Sequence, residues 1–473
     1  MTATTAIWIR NDLRLQDHPA IERALLISGK PDDRILFVFH VHERYFKKDN
    51  PRVDYFYKTV RSFSDDLAAK GIGIRFIYGS AEDAWHDFFD QFPDVTAVVA
   101  TMDPTDFALE RDALVKELTV ARDVHFELTE SNHIHHQHAI YKDDNTPYKV
   151  YTPYMKQWMK RSVRPLIAID HAKLSEKSLN VAMNRDTLDQ QLAHSRWDWK
   201  AIGEKNAHKR MTQFMEERLH AYDEQRDYPA IAGTSRLSPY LKTGTLSAVQ
   251  VYHAAYAALE NGSKGAETYI KELAWRDFYN MIHSHYDDLK HQEFQEKFRH
   301  LDWRNDPELL ERWKQGQTGF PLIDAAMRQL NQTGWMHNRL RMAVASFLTK
   351  DYHLDWREGE QYFAERLIDY DEASNVGGWQ WASSVGTDAS PYFRVFNPVR
   401  QSKRFDPKGS FIKKYVPELS NVPEKYIHEP AKISGKAKEE SGFEIGVDYP
   451  NPSVDHSEAR LKAIAMFEGG SSS

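Results

Sequence analysis

The sequence predicts an α/β N-terminal domain, a doubly wound parallel sheet of Rossmann-like type, joined to a larger all-α domain. Over the first 130 residues, short apolar runs of strand length alternate with helical stretches, a pattern that lays strands parallel with helices on both faces. From about residue 201 to 415 the strand signals give way to apolar positions at helical spacing. The composition is that of a globular chain: 473 residues, 41% hydrophobic and 28% charged, enough for two or three domains.

Taken in order, the predicted strands are Ala6 to Ile9, Arg34 to Val41, Ile74 to Tyr78, Thr96 to Met102 and Val124 to Leu128. Asp17 ahead of Pro19 and Ser80 ahead of Asp83 read as helix starts, and Gly71 as a stop. Such a sheet holds ligands at the carboxyl ends of its strands. No G-x-G-x-x-G follows the first strand, so a dinucleotide site of that kind is not expected there. Residues 131–200 read as a polar connection with one helix around Pro153 to Arg161. Within it, His133, His135, His136 and His138 have no carboxylates nearby to orient them as ligands, so they read as a solvated loop and no metal is expected. Residues 201–473 form the helical domain, whose end from Ser420 onward is rich in Pro, Lys and Glu and reads as a flexible tail.

Several function classes are excluded. With no cysteine there is no disulfide, thiolate nucleophile or cysteine-held metal, so redox chemistry must use a bound cofactor or aromatic side chains. No apolar run approaches membrane-spanning length, and Met1 to Arg14 lacks the layout of a secretory signal, so a cytoplasmic protein with no membrane partner is expected. The net charge of -7 argues against general coating by nucleic acid. Locally, however, Arg394, Arg400, Lys403, Arg404, Lys408, Lys413 and Lys414 stand against the single acid Asp406, the pattern of either a docking strip for a polyanion or a solvated basic loop.

The chemistry concentrates between Gly319 and Lys414. In the run from Trp335 to Met342, Leu340, Val344, Phe347 and Leu348 recur at helical spacing toward a core, leaving Asn338, Arg341 and Met342 on another face. An amide, a guanidinium and a thioether together suit a lined cavity better than a solvated surface. Asp369, Asp371 and Asn375 follow, then Gly377-Gly378-Trp379-Gln380-Trp381, where glycines let a ligand approach the backbone beside two indoles. Earlier, Thr234 to Ser238 supplies three hydroxyls and an Arg, suited to a phosphate or to helix capping. Glu272, Trp275 and Arg276 share one helix face, as a binding surface or as an ion pair over an indole.

As a set, Trp8 to Leu15, Thr234 to Ser238, Glu272 to Tyr279, Gly319 to Met342 and Asp369 to Phe396 closely resemble the DNA photolyase and cryptochrome family. The run Trp335 to Met342, with Glu272 and Trp381, is similar to its class I cyclobutane pyrimidine dimer branch. The resemblance implies an antenna-binding domain over 1–130, an interdomain linker over 131–200 and an FAD- and DNA-binding catalytic domain over 201–473. It implies FAD held at its phosphates by Tyr222, Thr234, Ser235, Arg236, Leu237 and Ser238, at its ribose or isoalloxazine by Asp369 and Asp371, and also contacted by Arg341, Tyr370 and Asn375. Arg341 is expected to pair with Asp369. Asn375 is expected to face flavin N5, where a neutral amide does not oppose a reduced, anionic ring.

By the same resemblance, light excites the reduced flavin, an electron passes to the dimer, its ring bonds break and the electron returns, so the hard chemistry belongs to the cofactor. Glu272 and Asn338 would hydrogen-bond the dimer, Glu272 in its protonated form, while Trp275 and Trp381 sandwich it and Met342 packs beneath. Arg226, Arg276, Tyr279, Arg339, Gln401 and the basic run would grip UV-damaged DNA with the dimer flipped out. Trp379, Trp356 and Trp303 match an electron relay to the surface. A second, antenna chromophore (folate, deazaflavin or flavin) is expected: Lys290 looks like a folate contact, but Ala108 replaces an expected acid. The protein is expected to be a monomer. The alternatives are a cryptochrome-type photoreceptor, opposed by Glu272, Asn375, Met342 and the lack of a long signalling tail, a six-four photolyase with a histidine-centred pocket, and a plain flavin electron carrier.

Overall fold

The computed structural model describes residues 3–46 and 50–470. They form two compact units, the first from the described residues within 1–140, 155–220 and 235–280, the second from those within 141–154, 221–234 and 281–473.

The first unit is built on a five-stranded parallel sheet: β1 (Thr4–Ile9), β2 (Arg34–His42), β3 (Ile74–Gly79), β4 (Val95–Thr101) and β5 (His125–Thr129), in the order β3-β2-β1-β4-β5. Side chains alternate across the sheet, so Ile7 and Ile9 enter one core and Ala6 and Trp8 the other. Helices Pro19–Ile27 and Pro51–Ala68 cover the first face, and Ala81–Gln91 packs Trp85 and Phe88 against Trp8 and Val38 on the second. Ser80 caps the last of these helices as expected, its Oγ accepting from Asp83 N at 3.2 Å. The start near Pro19 corrects the expectation: His18 is the cap, and Asp17, at φ 49°, instead binds Arg164 at 2.6 Å.

Residues 131–200 are more than a polar connection. Short helices His171–Lys177 and Asp186–Ala193 bury Leu174, Leu188 and Leu192 in the core of the sheet's first face. Asn184 lies along β3, its Nδ2 donating to Phe76 O at 2.8 Å and its Oδ1 accepting from Phe76 N at 3.0 Å, so one amide satisfies an edge strand's backbone. Three leucines spread over nineteen positions and an edge-pairing asparagine give no periodic signal.

The second unit is helical. Helix Asn338–Lys350 packs against Pro321–Thr333, Trp356–Arg366 and Glu372–Ala382. The chain beyond Ser420 is not a flexible tail over its described part: Val422, Ile427 and Phe467 are fully buried, and Tyr352 Oη meets Ser453 Oγ at 2.5 Å. Single apolar residues spaced among Lys, Glu and Pro anchor it, a pattern that average composition conceals. Ser471–Ser473 lie outside the described residues.

Candidate functional site

In the second unit, helix Asn338–Lys350 is capped by His337, whose Nδ1 accepts from Arg339 N at 3.2 Å. Leu340, Val344, Phe347 and Leu348 are buried as their spacing predicts. On another face Arg341 is fixed twice, its Nε donating to Met336 O at 2.9 Å and its Nη2 to Asp369 Oδ2 at 2.7 Å. The Asp369 side chain is 1% exposed, so the guanidinium neutralises a buried carboxylate. Met342 is half-buried beside Arg339, whose Nη2 donates to Asp227 at 2.9 Å, and Asn338 is exposed.

Helix Glu372–Ala382 starts at Asp371, which caps it by accepting from Ser374 N at 3.0 Å. Asn375, Gly378 and Trp381 follow at three-residue spacing on one face. Asn375 Nδ2 donates to Glu360 Oε1 at 3.1 Å, and Tyr370 Oη donates to the same oxygen at 2.9 Å. A Cβ on Gly378 would meet nothing within 4 Å, so this face borders open space.

The turn-opposite residue, Trp379, is buried, with its ring 5.0 Å from Phe363 and 6.0 Å from Trp313. Trp356 is fully buried and donates from Nε1 to Glu293 at 3.2 Å, and Trp303 is half-buried with its ring 6.4 Å from Phe467. Sequence reasoning missed Glu360, Trp313 and Phe363. A signal for Glu360 existed: it shares a helix stripe with Trp356 and Phe363, and an acid on an apolar stripe calls for a polar partner.

The basic run divides cleanly. Helix Pro398–Phe405 buries Pro398, Ser402 and Phe405, leaving Arg400, Lys403 and Arg404 exposed, as are Arg394, Lys408 and Lys414; Lys413 is half-buried. Asp406 turns inward, its carboxylate accepting from Phe411 N at 3.1 Å and Ile412 N at 2.9 Å. The run's only acid is thus withdrawn from the surface, although Glu429 pairs with Lys403 at 2.8 Å. Gln401 is half-buried, with no hydrogen-bond partner for its Oε1 among the described residues. Also in this unit, the Arg226 guanidinium lies 5.9 Å from the centre of the Tyr222 ring, and Thr234 is half-buried.

The first unit carries the other expected residues. Ser235 Oγ accepts from Tyr269 Oη at 3.2 Å and Leu237 N at 3.3 Å, while Arg236 is exposed at φ 54°. Ser238 opens helix Ser238–Thr243 and is exposed, whereas Leu237 is buried. Along helix Lys264–His285, Glu272, Trp275, Arg276 and Tyr279 are half-buried on one face while Leu273, Asp277 and Phe278 are buried on the other. Trp275 stacks on Tyr279 at 5.4 Å, and Arg276 Nη1 donates to Asn132 O at 2.7 Å. Burial raises the Asp277 carboxyl to about 6 despite hydrogen bonds from Trp158 Nε1 and His135 N. His135 is buried against Trp158, and the His136 and His138 rings lie 5.5 Å apart. Among the described residues, no three His, Cys, Asp or Glu side chains are grouped to hold a metal ion, and no helix is long and apolar enough to cross a membrane.

Residues 5–171 match the family model described as DNA photolyase, and residues 269–469 match that described as the FAD binding domain of DNA photolyase. A deoxyribodipyrimidine photo-lyase of Alkalihalophilus pseudofirmus is 44% identical over 98% of this chain and 98% of its own. The crystal structure of a bacterial class III photolyase from Agrobacterium tumefaciens superposes with a TM-score of 0.92 at 30% identity, covering 100% of this chain and 98% of that one. An archaeal photolyase from Sulfolobus tokodaii, solved with two FAD molecules that implicate a novel light-harvesting cofactor, gives 0.83 at 30% identity over 98% and 100%.

Proposed function

Because the chain belongs to the DNA photolyase family, we propose that it is a light-dependent repair enzyme, a carbon–carbon lyase that splits cyclobutane pyrimidine dimers in UV-damaged DNA using bound FAD. The observation that carries this reading is the Asn375, Gly378 and Trp381 face, where a fixed amide and a side-chain-free position border open space. That face fits a flat heteroaromatic ring, and the Arg341–Asp369 pair in the same unit supplies the charged groups such a ring's polar edge requires. Bound FAD supplies light absorption and one-electron transfer.

The residues of the chain bind and orient. Tyr222, Thr234 and Ser235 to Ser238 are the proposed phosphate contacts, and Arg341, Asp369, Tyr370, Asp371 and Asn375 those nearer the ring. Glu272 and Asn338 hydrogen-bond the dimer carbonyls, Trp275 and Trp381 stack on its bases, and Met342 packs under it. The dimer must leave the duplex to be reached, and photolyases are themselves a standard example of base flipping. Arg226, Arg276, Tyr279, Arg339, Gln401 and the exposed basic run hold the backbone. Buried Trp379 and Trp356, with half-buried Trp303, form the relay by which oxidised flavin is reduced.

We assign antenna binding to residues 1–130 and FAD and DNA binding to 201–473, a functional division distinct from the compact units. The second chromophore is a folate, a deazaflavin or a flavin. Lys290, the folate-like contact, donates to Glu372 at 3.0 Å, and the Ala108 position is buried. The enzyme works as a cytoplasmic monomer. Fluorescence anisotropy in darkness, with dimer-containing and undamaged oligonucleotides of one sequence, tests substrate recognition: tighter binding of the damaged strand is expected, and equal binding contradicts it.

A further inference from the structure

An amide has a donor end and an acceptor end, so Asn375 needs an orientation as well as a place. Its Nδ2 lies 3.1 Å from Glu360 Oε1 and 3.4 Å from Glu360 O. Both partners act as acceptors. Flipping the amide would put Oδ1 against two oxygens with no proton between them, so the NH2 group belongs at Glu360 and Oδ1 points elsewhere.

Glu360 is itself held. It is 3% exposed, and its Oε1 also accepts from Tyr370 Oη at 2.9 Å. The Tyr370 hydroxyl has one proton and a second acceptor, Glu372 Oε2, at 3.5 Å. That oxygen is already occupied by Lys290 Nζ at 3.0 Å, while His283 Nε2 lies 3.5 Å from Glu372 Oε1. Burial alone would raise the Glu372 carboxyl, but the His283 hydrogen bond and the Lys290 charge hold it down to about 2. At 2.9 Å against 3.5 Å, the phenol proton takes the bond to Glu360, and Glu372 is held beside it by Lys290 and His283.

We propose that Lys290, Glu372, Tyr370 and Glu360 form a ladder of positioning residues that locks the Asn375 amide with its oxygen toward the flavin, so that this amide offers N5 an acceptor and not a donor. This rests on the reading that Asn375 faces flavin N5. Reduced flavin carries an N5–H that such an acceptor binds, whereas oxidised flavin has only a lone pair there. The lock therefore favours the reduced ring, and a site shifts an equilibrium only by its differential affinity for the two states. The ladder runs from a half-exposed lysine to the cofactor face in four side-chain contacts.

The test is the two-electron midpoint potential of bound FAD, by spectroelectrochemistry on the holoenzyme, for wild type, Glu360→Ala, Asn375→Ala and the double variant. Losing one net hydrogen bond to the reduced ring corresponds to about a tenfold change, so Glu360→Ala is expected to lower the potential by about 30 mV. Loss of a carboxylate charge acting directly would instead raise it, so the sign separates the lock from simple electrostatics. In the Asn375→Ala background, Glu360→Ala is expected to lower nothing further. A rise in the single variant, or an equal fall in both backgrounds, overturns the ladder. No shift in Asn375→Ala alone overturns the placement of Asn375 itself, and the ladder with it. Tyr370→Phe, which removes a single oxygen, is the second variant: a smaller fall, absent in the Asn375→Ala background, supports the ladder, and a rise overturns it.

Discussion

Gly359 lies flat against the ring of Trp379: a Cβ added there would stand 2.0 Å from the Trp379 Cη2 atom and 2.5 Å from Cζ3. Only glycine lets helix Trp356–Arg366 come this close to helix Glu372–Ala382. The same approach places the next residue, Glu360, within reach of Asn375, one turn before Trp379. One missing side chain thus sets both the indole and the amide.

Gly359→Ala is expected to force that ring or helix aside, at about 1–3 kcal/mol for overpacking, and to slow photoreduction of oxidised FAD. Trp379→Phe, which keeps an aromatic ring but not an oxidisable indole, is expected to abolish photoreduction while leaving repair by already reduced enzyme intact. Transient absorption and a repair assay check the two together. Unchanged photoreduction in Trp379→Phe refutes the relay.

Breaking the Arg341–Asp369 pair from one side takes the guanidinium away from a buried carboxylate. Arg341→Met is expected to destabilise the protein by about 3 kcal/mol and to lower FAD retention. Adding Asp369→Asn removes the buried charge that the guanidinium neutralised, so the double variant is expected to be more stable than Arg341→Met alone. Denaturant titration of the three proteins checks this, and additive losses contradict it.

DNA binding is expected to weaken steeply with salt, since each phosphate contact contributes a slope of about 0.9 in log K against log salt. Arg400→Ala is expected to reduce that slope by about one contact. Lys403→Ala should reduce it less, because Lys403 already pairs with Glu429 at 2.8 Å. A nearly flat salt response in the wild type would sink the docking role of the run.

Acid is expected to loosen the first unit. Burial drives His18 from an ordinary 6.5 down to about 4, an effect that the Asp12 carboxylate at 3.3 Å does not offset. The folded state therefore holds His18 neutral where the unfolded chain protonates it, so stability is full above about pH 6.5 and falls toward pH 4, by about 2 kcal/mol at pH 5. His18→Asn keeps a helix-capping side chain but cannot titrate. Its stability is expected to fall less between pH 7.5 and 5 than that of wild type, and parallel curves contradict the assignment.

The parallel sheet was legible because each strand of an α/β fold is a continuous apolar run flanked by helix signals. The core stripe from Leu340 to Leu348 was legible for the same reason, since a periodic pattern survives without knowledge of its partner. What escaped depends on partners distant in sequence. Asn184 stands in for a neighbouring strand on β3, Glu360 meets an amide fifteen positions away, and Val422 to Phe467 anchor one residue at a time. The division of the chain by packing follows such contacts too, which is why residues 235–280, helical by pattern, join the sheet's unit.

The central claim is light-driven dimer splitting. Photoreduced, FAD-loaded protein is mixed with a thymine-dimer oligonucleotide, and dimer content is followed under blue light and in darkness. Loss under light alone is the predicted result. Persistence of the dimer under light, with flavin bound and reduced, would contradict the account and favour a photoreceptor.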